Sequence, residues 1–266
     1  MLLAFLCEAY IFVRGCFEKR FGRLMLIPLG FVLKIGDASV GAEADTLRFI
    51  REYTSIPVPR VYAADRAFGR TYCLMEEVKG AEELHFVWRE LSAKHRGLVL
   101  DQLRDVIRQL RSLRPPPCVL SGAICSLYNE ATRDSRIASA PPLGPFPNEA
   151  AFNDRLIKAS ELFLGDDILS DIRPRMREDH RIVFTHGDLA PRNIMVRGHR
   201  IVAILDWEES GWYPEHWELV KALWYPGLPD GKDPEWNEGM KDIVGREYEK
   251  DYDTDHELSG RMVGAF

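Results

Sequence analysis

Cysteine pairs, excess basic charge and long apolar runs are all missing here, and each absence removes a class of function. The five cysteines, Cys7, Cys16, Cys73, Cys118 and Cys125, are odd in number and never spaced Cys-x-x-Cys. Neither a zinc site nor a disulfide framework follows from them, and a reducing, cytoplasmic setting is the expectation. Basic residues are outnumbered, 35 Lys and Arg against 41 Asp and Glu, for a net charge of −6. Non-specific nucleic-acid binding needs the opposite sign, so nucleic acid is not an expected partner. The most apolar stretch, MLLAFLCEAYIFV, opens the chain, but Glu8 interrupts it and no basic residue precedes it. It is shorter than the ~20 apolar residues of a bilayer span and lacks the flanks of an export signal. We expect it to pack on the first lobe, with no membrane partner.

What remains is an ordinary globular composition, 46% hydrophobic and 29% charged over 266 residues, enough for one large or two-lobed domain with a real core. Two apolar runs, 23–27 and 31–35, flank Pro28-Leu29-Gly30 and predict a hairpin. Lys34 interrupts the second run, either as an edge-strand charge facing water or as a buried cation needing an anion. A helix is predicted to start near Val40. Its Glu43, Leu47 and Ile50 recur at i, i+4 and i+7, so Glu43 faces the strands and is the natural partner for Lys34. The bland alternative for Glu43 is a first-turn acid favoured by the helix dipole. An extended segment, 55–59, leads to two more strands, 61–64 and 71–78, with a turn at 65–69.

Further along, Leu100, Leu103, Val106, Ile107 and Leu110 form the stripe of a helix spanning 91–113, which Pro115-Pro116-Pro117 stops. Residues 118–147 read as an irregular loop, and Asn148 or Asn153 opens a helix to about 164. Residues 165–179 carry no functional signal. After position 206 come Trp207, Trp212, Tyr213, Trp217, Trp224 and Tyr225, interleaved with Glu208, Glu209, Glu215 and Glu218. That is either a wall for a cationic ligand or buried core, with Trp217, Val220 and Trp224 as the stripe of a helix from near Pro214. Core is the weightier reading, because large aromatics are usually packed. An amphipathic helix over 236–248 and a frayed acidic end complete the chain.

The chemistry concentrates between 182 and 217. Apolar runs 182–184 and 201–205 read as short buried strands, and each ends on acidic residues. The first leads into His186-Gly187-Asp188, with Asn193 five residues after the aspartate; the second leads into Asp206. Two carboxylates and a carboxamide converging from strand ends are ligands for Mg²⁺, a hard ion that prefers oxygen. Each alone could be an ordinary turn residue. Together, at this spacing, they read as one site.

His-Gly-Asp-Leu-Ala-Pro-Arg-Asn followed by Ile-Leu-Asp-Trp-Glu resembles the aminoglycoside phosphotransferase / choline kinase family. Gly144-Pro145-Phe146 with Glu149 and Phe152 resembles a phrase of its fungal-type members. The resemblance implies an α+β, protein-kinase-like two-lobed fold. Its small antiparallel-sheet nucleotide lobe would occupy residues 1–78 and its larger, mainly helical catalytic and substrate lobe 79–266. It implies ATP and Mg²⁺ as cofactors and a hydroxyl-bearing small molecule as substrate. Asp188 is then the catalytic base, and Asn193 and Asp206 are the metal ligands. Lys34, braced by Glu43, would meet the nucleotide phosphates, while Met75 and the backbone of Glu76 and Val78 would hold adenine. His186 is expected to be structural, and Arg192 to face either solvent or phosphate. Gly187, and Asp206-Trp207-Glu208 in place of Asp-Phe-Gly, point to the small-molecule branch. Only ten residues separate Asp206 from Trp217 and no Ala-Pro-Glu follows, which argues against a protein kinase. A glycine-rich phosphate loop is missing, because Gly15, Gly22 and Gly30 are widely spread. That absence supports the alternative of a catalytically silent, kinase-like nucleotide-binding or scaffold protein. Which hydroxyl compound is phosphorylated is not written in the sequence.

Overall fold

The computed structural model describes residues 4, 6, 7, 20–134, 143–224 and 233–260. Cys16, Tyr225 and most of the opening stretch lie outside the described residues. In chain order the elements are β1 Arg20–Phe21, β2 Leu24–Ile27, β3 Phe31–Gly36, α1 Ala38–Tyr53, β4 Val61–Ala67, β5 Arg70–Glu76, β6 Glu82–Glu83, α2 Leu84–Val87 and α3 Ala93–Ser112. They continue with α4 Glu149–Ser160, α5 Asp166–Ile172, β7 Ile182–Thr185, β8 Ile194–Arg197, β9 Arg200–Ile204, β10 Gly211–Pro214, α6 Trp217–Leu223, α7 Pro234–Val244 and α8 Glu249–Ser259. The chain forms two compact units, one of residues 1–91 with 192–208 and one of 92–191 with 209–266.

In the first unit the predicted hairpins close into an antiparallel sheet of order β1-β2-β3-β5-β4. Ala67 pairs with Arg70, so the β4–β5 turn is Phe68-Gly69, both at positive φ, as a two-residue type I′ turn requires. Strand alternation then sorts the side chains of β3. Leu33 and Ile35 join Met25, Tyr72, Ala4 and Cys7 in one apolar cluster, so the described part of the opening stretch does pack on this unit. Val32 faces the other way, into a cluster with Val40 and Ala44 of α1, and Lys34 shares that face. Asp37 caps α1, its carboxylate accepting the Ser39 N–H at 2.8 Å. The β8–β9 hairpin extends this unit by pairing β6 with β8.

In the second unit α3 starts from the Ser92 cap and lies on β7 and α7. Its buried stripe is Val99, Leu103, Val106, Ile107 and Leu110, with Leu100 only half-buried. Asn148 caps α4 through the Ala151 N–H at 3.0 Å. The core gathers Phe152, Leu156, Leu169, Tyr213, Trp217 and Leu258.

Two expectations need correction. The helix expected from Pro214 starts only at Trp217, because 211–214 is strand β10, paired with β7 through Trp212↔Phe184 and Tyr213↔Val183. Gly211 permits this, since a Cβ there would lie 2.4 Å from the Cys125 carbonyl oxygen. The acidic tail is not frayed up to Gly260: α8 buries Leu258 and tucks Asp251 and Asp255 inside. Residues 165–179, which carry no functional signal in the sequence, form α5 and a short 3-10 turn at Arg173–Arg175.

Candidate active site

Lys34 is the centre of the first unit's polar interior. Its ammonium Nζ lies 2.6 Å from Glu43 Oε2 and 3.0 Å from Asp206 Oδ1, and its side chain is 8% exposed. Burial works to lower the Lys34 pKa, but Glu43 and Asp206 outweigh it and hold it above the usual lysine value. Burial pushes the Glu43 carboxyl up while Lys34 opposes it. The 2.6 Å contact argues for the charged pair, because a close cation favours the carboxylate. The predicted Lys34–Glu43 pairing is therefore present, and Asp206 joins it.

Asp206 sits two residues beyond β9 at φ +60, a left-handed conformation that Asp and Asn tolerate better than other side chains. Register Ile194↔Ile204 and the Leu205 N–H donated to the Asn193 carbonyl at 2.8 Å bring Asn193 and Asp206 to one end of the β8–β9 hairpin. Asn193 is 6% exposed. Glu208, noted in the sequence only as one of several acids, accepts from Arg23 Nη2 with both carboxylate oxygens, at 2.7 and 2.8 Å, and from Ser39 Oγ at 3.2 Å.

The hinge residues follow β5. Met75 is buried on the α1 face of the sheet, in the cluster with Val40 and Ala44. The Glu76 N–H donates to the Arg60 carbonyl at 2.9 Å and its carboxylate accepts the Arg60 N–H at 3.2 Å. A nucleotide contact at Glu76 would thus fall to its carbonyl oxygen. Val78 is half-buried just after the strand.

The His-Gly-Asp loop belongs to the second unit. Asp188 is half-buried, and its N–H donates to His186 Nδ1 at 3.1 Å. That nitrogen accepts, so a neutral His186 carries its proton on Nε2. His186 is fully buried and structural, as expected. Gly187 has φ +77, and a Cβ there would lie 2.5 Å from the Glu209 carbonyl oxygen; only glycine fits.

Sequence reasoning missed what holds this loop. Glu218, on the first turn of α6, accepts the N–H of His186 at 2.7 Å and of Gly187 at 3.3 Å. Burial pushes its carboxyl up to about 7, against the two amides and Arg111, while Asp188 adds to the rise. The sequence offered little signal for it, because Glu218 lies beside the Trp217, Val220 and Trp224 stripe and not within it. Glu209 meets Lys221 at 2.7 Å, and Asp134 meets the same ammonium at 3.0 Å. The aromatic wall for a cation is not offered by the described residues: Trp207, Trp212, Tyr213 and Trp217 are all buried. Trp212 packs edge-on to Phe184, and Trp217 edge-on to Phe152. The interleaved Glu208, Glu209, Glu215 and Glu218 all have partners.

Against known proteins, the family model described as "Phosphotransferase enzyme family" matches residues 30–256. Among solved structures the chain is similar to an aminoglycoside-3'-phosphotransferase of type VIII, at TM-score 0.60 and 16% identity over 96% of this chain and 98% of that one. It is also similar to the ADP-bound aminoglycoside phosphotransferase APH(2'')-Ib, at TM-score 0.64 and 14% identity over 97% and 90%. The gentamicin complex of APH(2'')-IIa aligns at TM-score 0.62 and 15% identity over 97% and 94%. At these identities the likeness establishes the kinase-like α+β fold. The comparison with curated proteins returns no match. Among the described residues no helix is long and apolar enough to cross a membrane.

Proposed function

This chain belongs to the phosphotransferase enzyme family, and from that premise we propose that it moves the γ-phosphoryl group of ATP to a hydroxyl of a small molecule. The observation that carries the reading is the cluster of Lys34, Glu43 and Asp206, at 2.6 and 3.0 Å, built from three separate elements of one unit. A lysine held charged by two carboxylates, one of them half-exposed, is poised for an anionic group to replace part of that pairing.

The donors fit the magnesium ion that such transfer uses. The Asp206 carboxylate and the Asn193 carboxamide leave one hairpin end and are hard oxygen donors. Those two residues would hold the ion, which when bound neutralises charge on the nucleotide phosphates. Lys34 meets phosphate oxygens, with Glu43 fixing its direction. Asp188 accepts the proton of the substrate hydroxyl, on a loop kept in shape by Gly187 and Glu218. The adenine lies against Met75, the Glu76 carbonyl and the backbone of Val78. Residues 1–78, joined by the 192–208 segment that carries Asn193 and Asp206, then serve the nucleotide, and the rest of 79–266 serves catalysis and substrate. Little covalent work is asked of side chains, because positioning and electrostatic stabilisation dominate phosphoryl transfer. Cys73, Cys118 and Cys125 form no disulfide among the described residues; the cytoplasm is the location we propose.

Aminoglycosides are the first acceptors to try, since the structural relatives are named for them; sugars and amino alcohols come next. The test is ADP formation by the purified chain with Mg·ATP across such a panel. Acceptor-dependent ADP formation supports transfer. Tight Mg·ATP binding with no turnover on any acceptor favours the catalytically silent reading, which the missing glycine-rich loop motivates.

A further inference from the structure

We propose that Glu149, His180 and His216 bind a divalent transition-metal ion, zinc in particular, inside the second unit. Each offers one ligand atom, all within 4.8 Å of one another, and all three residues are at least nine-tenths buried, at 4, 9 and 8% exposure. Two imidazoles and a carboxylate make a zinc donor set with a fourth position left for water. Ligands at about 2.0–2.2 Å from a tetrahedral ion stand roughly 3.3–3.6 Å from each other. Glu149 Oε1 lies 3.8 Å from His216 Nδ1 and 2.7 Å from His180 Nδ1, the latter a hydrogen bond that a bound ion would replace as the two atoms move apart by less than about 1 Å.

The second, independent observation is at His216. Its Nδ1 is buried and has no hydrogen-bond partner, a situation that native interiors avoid because the lost hydration is not replaced. This nitrogen looks toward the Glu149 carboxylate, and a shared metal ion accounts for both groups. Asp251 supplies the supporting carboxylate. Its Oδ2 lies 3.4 Å from His180 Nε2, on the far side of the ring from Glu149, with Arg177 Nη1 3.6 Å from the same oxygen. Metal-binding histidines usually have their second ring nitrogen turned to an acid; here the 3.4 Å approach is an ion-pair distance, without a hydrogen bond on either atom. Glu149 is itself fixed, its Oε2 accepting the His180 backbone N–H at 3.0 Å. A cavity of about 20 Å³ bordered by His216, Trp217 and Asp251 lies alongside, which is room for roughly one water molecule.

The ligands come from the first turn of α4, the residue run before β7 and the cap of α6, with Asp251 on α8. A metal ion there would tie four elements together. It would also brace α6, whose Glu218 holds the His186-Gly187 amides. Cysteine spacing gave no hint of it, because no cysteine takes part. The rival is a purely protonic cluster, with a charged His180 between two carboxylates, no metal, and a water in the adjoining cavity on His216 Nδ1; zinc binding separates the two.

The purified chain, stripped with a chelator and dialysed, is titrated with zinc chloride by calorimetry and then heated with and without zinc. The inference expects equimolar binding and a higher Tm with zinc. His216→Ala should bind at least ~10-fold more weakly; its metal-free Tm falls with the lost ring packing on His180 and Trp217, so the readout is the zinc-induced rise in Tm, which it should lack. Glu149→Gln, which keeps an acceptor for the His180 N–H, should lose zinc affinity to a similar extent and decides the matter if His216→Ala does not fold. Cobalt substitution should give the strong visible bands of a tetrahedral site in the wild type and not in Glu149→Gln. No zinc-dependent change in Tm, or wild-type zinc affinity in both variants, overturns it.

Discussion

Lys34 and Glu43 are each other's compensation for burial, so removing one strands the other. Lys34→Met should lower stability in urea by roughly 3 kcal/mol, the usual penalty for an uncompensated buried charge. Lys34→Met combined with Glu43→Leu should recover most of that loss while activity stays absent. Asp206 separates chemistry from backbone strain. Asp206→Asn and Asp206→Ala both lack the carboxylate and should be equally inactive. Alanine at φ +60 should cost about 1 kcal/mol more than asparagine, which adopts that conformation more easily. Denaturation midpoints measure the difference. At this scale the pairing of Lys34 with Glu43 was legible, because strand alternation and helical i, i+4 spacing are local rules. The role of Glu218 was not. Its partners His186 and Gly187 lie 32 and 31 residues earlier, and no local pattern reports which buried acid reaches which amide.

The His-Gly-Asp loop is an element in its own right, fixed from two sides. Gly187→Ala would drive a methyl group to 2.5 Å from the Glu209 carbonyl. The loop has to shift, so turnover should fall by orders of magnitude even though Asp188 is untouched. Glu218→Ala leaves two buried N–H groups without an acceptor and should cost roughly 2–4 kcal/mol. Glu218→Gln keeps one acceptor oxygen and should recover part of that in thermal denaturation. Hairpins β2–β3 and β4–β5 were readable because turn residues and apolar runs bound them. Strand β10 was not, since Gly211–Pro214 forms a strand only by pairing with β7 from far earlier in the chain. Polar α8 looked like a loose end because its buried acids Asp251 and Asp255 disguise the inward face.

Along the whole molecule, a boundary drawn on the sequence could not show that residues 192–208 return to the unit formed by 1–91. That return is what brings Asp206 to Lys34, 172 residues away. Motif spacing announced the family; tertiary contact alone announced the cluster. A bound nucleotide should therefore stabilise the protein by mass action, about 2.7 kcal/mol at a free concentration 100-fold above Kd, in wild type and in Asp188→Ala alike. The most direct test of the account is acceptor-dependent ADP formation by those same two proteins. Wild type should transfer phosphate, and Asp188→Ala should be slower by about 10²–10⁴-fold with its nucleotide-induced stabilisation intact. Equal turnover in the two proteins would contradict the assignment of Asp188 as the base and, with it, the proposed mechanism.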